Sequence, residues 1–227
     1  EHVQDPLYLL TQLRETATDD TRLVVEVPIL DRAIEVQGRD ISGFFSIPHR
    51  THFSRETLSS VLSTTGWEII EALDLHGNGF RVMAQPGPPC AFKISGSSLN
   101  HQSTLAQDYV RYRNASVEQI RKRIKQLPQE GDLLIWGAGH HTEFLALLTD
   151  LFSPHRRFLI VDKDPLKSGM QFHGISVGTP QEIPEALWQN VELQVLISTY
   201  HWQNAVVQGL KSYGVDSSRI TSLYPEN

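Results

Sequence analysis

The chain has 227 residues, a formal net charge of −6 and one cysteine. The acidic balance disfavours non-specific nucleic-acid binding, and no apolar run approaches the roughly 18 residues of a membrane span. Cys90 alone excludes an internal disulfide and a cysteine-cluster metal site, which fits a reducing cytoplasm.

Length and composition are those of a globular protein of one or two domains. Glu1-His-Val-Gln-Asp5 is polar and acidic, unlike a signal peptide. The start without methionine, nearly inside a helix, suggests a fragment or a trimmed chain. Pro6 suits a first helical turn and Asp5 its cap, and Leu7, Leu10, Leu13 and Ala17 form an apolar stripe. Asp19-Asp20 turns into a strand over residues 23–27, stopped by Pro28. Residues 29–48 read as a loop with Gly38, Gly43 and the pair Phe44-Phe45. Ser54 caps the next helix, Leu58, Val61 and Leu62 face inward, and Gly66 ends it. Residues 67–73 and 80–84 read as strands joined by His76-Gly-Asn-Gly79, a hairpin signal.

Pro86, Gly87, Pro88, Pro89 and Gly96 crowd the next stretch, the mark of an interdomain linker. The expected division is residues 1–85, a linker over 86–102, and a second domain over 103–227. The latter opens with a long helix, about residues 103–127. Arg111, Arg113, Arg121, Lys122, Arg123 and Lys125 crowd its polar faces, as a solvated surface or as a phosphate or partner contact.

Leu133–Trp136 has the length of a buried strand. Gly137-Ala-Gly139 is a turn that lets backbone approach a ligand. Phe144, Leu145, Leu147, Leu148 and Leu151 recur at helical spacing, and residues 158–161 form a second buried strand ending at Asp162. A strand, glycine turn, helix and strand open a nucleotide-binding α/β domain. Helix N–H groups after Gly139 would face an anion, and Asp162 falls where such folds hold a ribose. Thr142 stands in place of the third glycine of the usual fingerprint. An excursion over 169–177, a short helix over 183–188, a strand over 193–197, a helix over 205–213 and a last strand over 219–223 complete a small doubly wound domain. Gly137, Gly139, Asp162, Ser198, Thr199 and Tyr200 would converge beyond its strand ends.

Each candidate side chain carries two readings. His49 is a base acting near neutral pH or a structural residue; with His52 it lacks an obvious third metal donor nearby. His141 is a phosphate contact or an ordinary first-turn residue. Lys167 pairs with a phosphate or lies on the surface, and Tyr200 with His201 follows a strand end. Cys90 has no nucleophile context.

Glu1-His-Val-Gln-Asp-Pro6 with a helix, Leu23-Val-Val-Glu-Val-Pro28, His49-Arg-Thr-His-Phe-Ser54, Gly66-Trp67 and a terminal hairpin resemble the second half of a class I S-adenosylmethionine-dependent methyltransferase. The resemblance is closest to sugar C-methyltransferases, which carry a further Rossmann-like domain with an Asp-x-Asn-Pro-x-Lys-x-Gly stretch. Here that stretch is Asp162-Lys-Asp-Pro-Leu-Lys-Ser-Gly169. The resemblance implies an incomplete methyltransferase-type domain with a terminal antiparallel hairpin, followed by a small Rossmann-like α/β domain. It implies S-adenosylmethionine as methyl donor and a small acceptor such as a nucleotide-sugar, with no nucleic-acid or membrane partner. Homo-oligomerisation is left open. His49 matches the family's base cluster, but Pro48 replaces its carboxylate, and Thr199-Tyr200 stands for its Trp-Asn. The Gly-rich donor loop does not occur in the sequence. The alternative is a non-catalytic module whose Gly137, Gly139, His141, Thr142, Asp162, Lys167, Thr199 and Tyr200 bind a nucleotide or nucleotide-sugar.

Overall fold

The computed structural model describes every residue except Gly38, Ile47, Phe92, Lys93, Ser153, Glu226 and Asn227, and only the backbone of Val36 and Gln37. Gly38 of the expected loop and Ile47 beside Pro48 therefore lie outside the described residues. The chain forms two compact units, Glu1–Asn114 and Ala115–Asn227.

In the first unit, helix α1 (Pro6–Glu15) begins where the Asp5 carboxylate accepts the Tyr8 N–H at 2.9 Å. Only Leu10 of its expected stripe is fully buried; Leu7 and Leu13 are exposed. Leu10 lies where Trp67 donates its indole N–H to the Leu10 carbonyl at 3.0 Å. Strand β1 (Leu23–Pro28) follows. The expected loop is partly helical: a 3₁₀ turn at Leu30–Arg32 leads into α2 (Ala33–Gln37). Its Ala33 is buried with Phe44 and Tyr109, a tertiary cluster that local pattern does not announce. Helix α3 (Arg55–Thr64) carries a capping box between Ser54 and Thr57 and buries Leu58 and Leu62. Strands β2 (Trp67–Asp74) and β3 (Gly79–Pro86) form the expected hairpin, and β3 also pairs with β1, giving an antiparallel sheet in the order β1-β3-β2.

Helix α4 (Gly96–Gln126) starts earlier than the sequence pattern implies. Ser95 supplies the reason: its hydroxyl accepts the Ser98 N–H at 3.1 Å, the bond of an N-cap. The division between the units falls within α4, not in the Pro-rich stretch. Tyr109 and Arg113 bond to Phe44 and Ile41 of the first unit, while Arg121 and Arg123 donate to the carbonyls of Leu148 and Ser222 of the second. These arginines are engaged within the chain, so the helix's basic face is largely structural; Lys122 and Lys125 are exposed.

The second unit holds β4 (Gly131–Trp136), α5 (His140–Leu148), β5 (Arg156–Val161), β6 (Gln171–Phe172), β7 (Ile175–Gly178), α6 (Glu185–Trp188), β8 (Gln194–Ile197), α7 (Gln203–Ser212) and β9 (Ile220–Ser222). The sheet order is β6-β7-β5-β4-β8-β9, parallel apart from the edge strand β6. The excursion over 169–177 is thus a small hairpin, turned by His173 at φ 49° and Gly174 at φ 79°. From β4 the chain winds outward through β5 to β7, then returns to β8 and winds the other way to β9. Right-handed crossovers then put α5 and α7 on opposite faces. Leu134, Trp136, Val195, Ile197, Val206 and Leu210 are among the residues packed in its core. The topological switch point, where ligands of such sheets bind, lies between the carboxyl ends of β4 and β8. No helix among the described residues is long and apolar enough to cross a membrane.

Candidate functional site

A cleft of about 470 Å³ opens at this switch point. Gly137, Gly139 and His141 line one side, Asp162 and Lys167 another, and Thr199 a third. Six of the eight expected nucleotide-site residues therefore meet there. Thr142 is fully buried, and Tyr200 packs edge-on against Tyr224, with ring centroids 4.7 Å apart, instead of lining the cleft. Lys163 and Trp202, which the sequence reading left aside, line it as well. Trp202 is 70% exposed, an unusual place for a large apolar ring.

The two glycines do different work. Gly137 has φ +120°, and a Cβ there would meet the Ser198 carbonyl oxygen at 2.7 Å. Glycine is required there by the close approach of the β4 and β8 ends, and the residue also lines the cleft. Gly139 has the extended φ of −141° at the N-cap of α5, and a Cβ there would meet only the Lys167 ammonium, at 3.8 Å. With no side chain, Gly139 supplies no cap to the first-turn N–H groups of α5.

Below the cleft runs a hydrogen-bonded chain. His141 Nδ1 lies 3.0 Å from Ser198 Oγ, and its Nε2 lies 2.7 Å from the Tyr224 hydroxyl. Thr142 Oγ1 donates to the Gly137 carbonyl at 2.6 Å and lies 2.7 Å from Ser198 Oγ. Thr142 thus ties the turn to β8 where the usual fingerprint has a glycine. His141, also buried, has both ring nitrogens engaged inside the unit.

Asp162 braces the turn. Its Oδ2 accepts the Ala138 N–H at 2.9 Å and the Lys167 ammonium at 2.7 Å, while Oδ1 accepts the Asp164 N–H at 3.0 Å. Burial pushes its pKa up, but the bonds from Lys167, Asp164 and Ala138 outweigh that and hold it below the ordinary carboxylate range. A depressed folded pKa adds stability that is present above the unfolded value of 3.8 and is lost as pH falls below it. Asp162→Asn places an amide donor among donors and is expected to cost about 1–3 kcal/mol at pH 7. The variant's deficit should shrink as the wild type acidifies below that value; urea unfolding across pH checks this, and an equal deficit at pH 7 and in strong acid refutes it.

The first unit presents a second constellation. His49 Nδ1 lies 3.2 Å from the Phe44 carbonyl and is the donor of that bond, which leaves Nε2 outside it. The His2 ring meets His49 edge-on at 5.0 Å, and His52 lies 5.9 Å away. The Glu1 carbonyl accepts the N–H groups of Arg50 at 2.8 Å and Thr51 at 3.2 Å, which holds Glu1 close to His49 in the fold. Burial and the neighbouring His49 lower the pKa of His52.

Compared with known proteins, the sequence matches no family model and no curated protein.

Proposed function

We propose that the second unit binds the nucleotide part of a small acceptor such as a nucleotide-sugar, in the service of S-adenosylmethionine-dependent C-methyl transfer. The observation that carries this is the capless start of α5 at Gly139, open toward Lys167 in a cleft at the switch point. A phosphate there replaces the missing cap, gaining helix N–H donors and the positive end of the helix dipole, a term of roughly 0.3–1 kcal/mol at an exposed site. Lys167 and Lys163 add positive charge, and Asp162 holds Lys167 and the turn in position and is the carboxylate at the place where such folds hold a ribose. In the methyl-transfer reading His49 is the base, its Nε2 lone pair accepting a proton from the acceptor. Pro48 in the family's carboxylate position favours the narrower alternative, a binding module without catalysis of its own.

The test is titration with a nucleotide-sugar. Gly139→Val puts branched carbons where the phosphate must approach backbone, in space that is otherwise open. It is expected to lower affinity at least tenfold, about 1.4 kcal/mol, with unfolding little changed. Unchanged affinity in the folded variant overturns the site.

A further inference from the structure

The sequence places His49 and His52 together without a third donor in reach; the fold supplies two more from the far end of the unit. One ligand atom from each of Glu1, His2 and His49 lies within 4.8 Å of the others. We propose that Glu1, His2 and His49 form a site for a divalent transition cation of the zinc type. Three features support it. His2 Nε2 lies 3.3 Å from Glu1 Oε1, close to the edge of a tetrahedron whose metal–ligand bonds are about 2.0–2.2 Å. His49 directs Nδ1 at the Phe44 carbonyl, the outer hydrogen bond by which ligating histidines fix their tautomer and aim the other nitrogen at the metal. The Glu1 backbone is clamped to residues 50 and 51, so the two sequence-distant halves of the donor set are held together before any ion arrives.

The donor set selects the ion. Two imidazoles and one carboxylate suit zinc, cobalt, nickel or iron and disfavour magnesium and calcium, which take oxygen cages. Three protein ligands leave a fourth position open, as in catalytic zinc sites, where an oxygen of water or of an acceptor is polarised. His52 stands next to His49, and its Nε2 is buried without a hydrogen-bond partner among the described residues. A polar atom left in that state costs free energy, and it marks this wall of the site as incomplete without a further polar group.

The site lies wholly in the first unit and does not depend on the nucleotide cleft. It does use the nitrogen assigned above to proton transfer, so a bound metal would replace that role by Lewis-acid polarisation. The experiment is calorimetric titration of the protein with Zn²⁺, with Mg²⁺ as comparison and with any free amine at Glu1 acetylated so that it provides no donor. Co²⁺ substitution reports geometry through the visible bands of a tetrahedral ion. One equivalent of Zn²⁺ should bind, Mg²⁺ should not, and Co²⁺ should give the tetrahedral spectrum. His2→Ala and His49→Ala should each lower affinity by more than the roughly 10–100-fold that an outer-shell partner is worth, while the exposed His101→Ala leaves it unchanged. His2 is exposed, so its removal does not threaten the core and decides the matter even where His49→Ala unfolds. Absence of Zn²⁺ binding, or binding unaffected by His2→Ala, overturns the proposal. Gly139→Val should leave this titration untouched, which separates failure here from failure of the nucleotide site.

Discussion

Gly137→Ala should unfold the second unit at denaturant concentrations where the wild type is still native, while Gly139→Ala should be close to neutral. At Gly137 two penalties coincide. Its φ of +120° lies where a side chain is strained, worth roughly 1–3 kcal/mol. The new Cβ would also stand 2.7 Å from the Ser198 carbonyl oxygen, a backbone atom that cannot rotate aside. Relief requires β4 and β8 to separate at their ends, and overpacking of that kind costs about 1–3 kcal/mol more. Small domains are stable by only about 5–15 kcal/mol, so the combined loss is a large share. Separation would also strain the bond from the Ser198 N–H to the Trp136 carbonyl, 2.9 Å long, and the Thr142 bonds beneath the cleft. Gly139 has an extended φ and open space, so alanine fits there. Urea unfolding of both variants checks the contrast, and equal midpoints would refute this account of the turn.

The same pair of glycines shows where sequence reasoning stops. The strand, turn, helix and strand over residues 131–161 are legible because buried strands and amphipathic helices leave local periodicities. The role of Gly137 is not, because its partner Ser198 lies sixty-one positions along the chain and no local pattern announces that approach. Thr142 reads as a departure from a fingerprint until Ser198 is seen beside it. The turn at His173-Gly174 was hidden for another reason: histidine at positive φ is uncommon, and the pair is not among the usual hairpin signals. The start of α4 lies earlier than the apolar spacing implies because its first turns are polar, and the Ser95 bond to the Ser98 N–H, not a periodicity, marks it. In the first unit, His49 was visible as a candidate, but Glu1 and His2 became its neighbours only through the backbone bonds that hold Arg50 and Thr51.

Tyr109→Ala is expected to cost the first unit about 3–5 kcal/mol, the range for removing a large buried ring. Tyr109 is fully buried at the face of α4, among Ala33 and Phe44. Its ring meets Phe45 edge-on at 5.3 Å, and its hydroxyl accepts the Phe44 N–H at 2.6 Å. Burial pushes its pKa up to about 12, so the hydroxyl stays neutral throughout the ordinary pH range. The residue therefore fixes Phe44 from one side, while the Phe44 carbonyl fixes the imidazole of His49 on the other. Tyr109→Phe separates the two contributions. It keeps the ring and strands one buried N–H, at a cost of about 1–3 kcal/mol, and it releases Phe44 to move. Stability should thus fall in two steps, from wild type to Phe to Ala. Already at the first step, the His49 ring resonances should broaden in NMR spectra as its acceptor loosens. If Tyr109→Ala unfolds with the wild-type midpoint, the helix is not anchored through this ring. If Tyr109→Phe leaves the His49 resonances sharp and unshifted, the path from α4 through Phe44 to His49 carries no positioning.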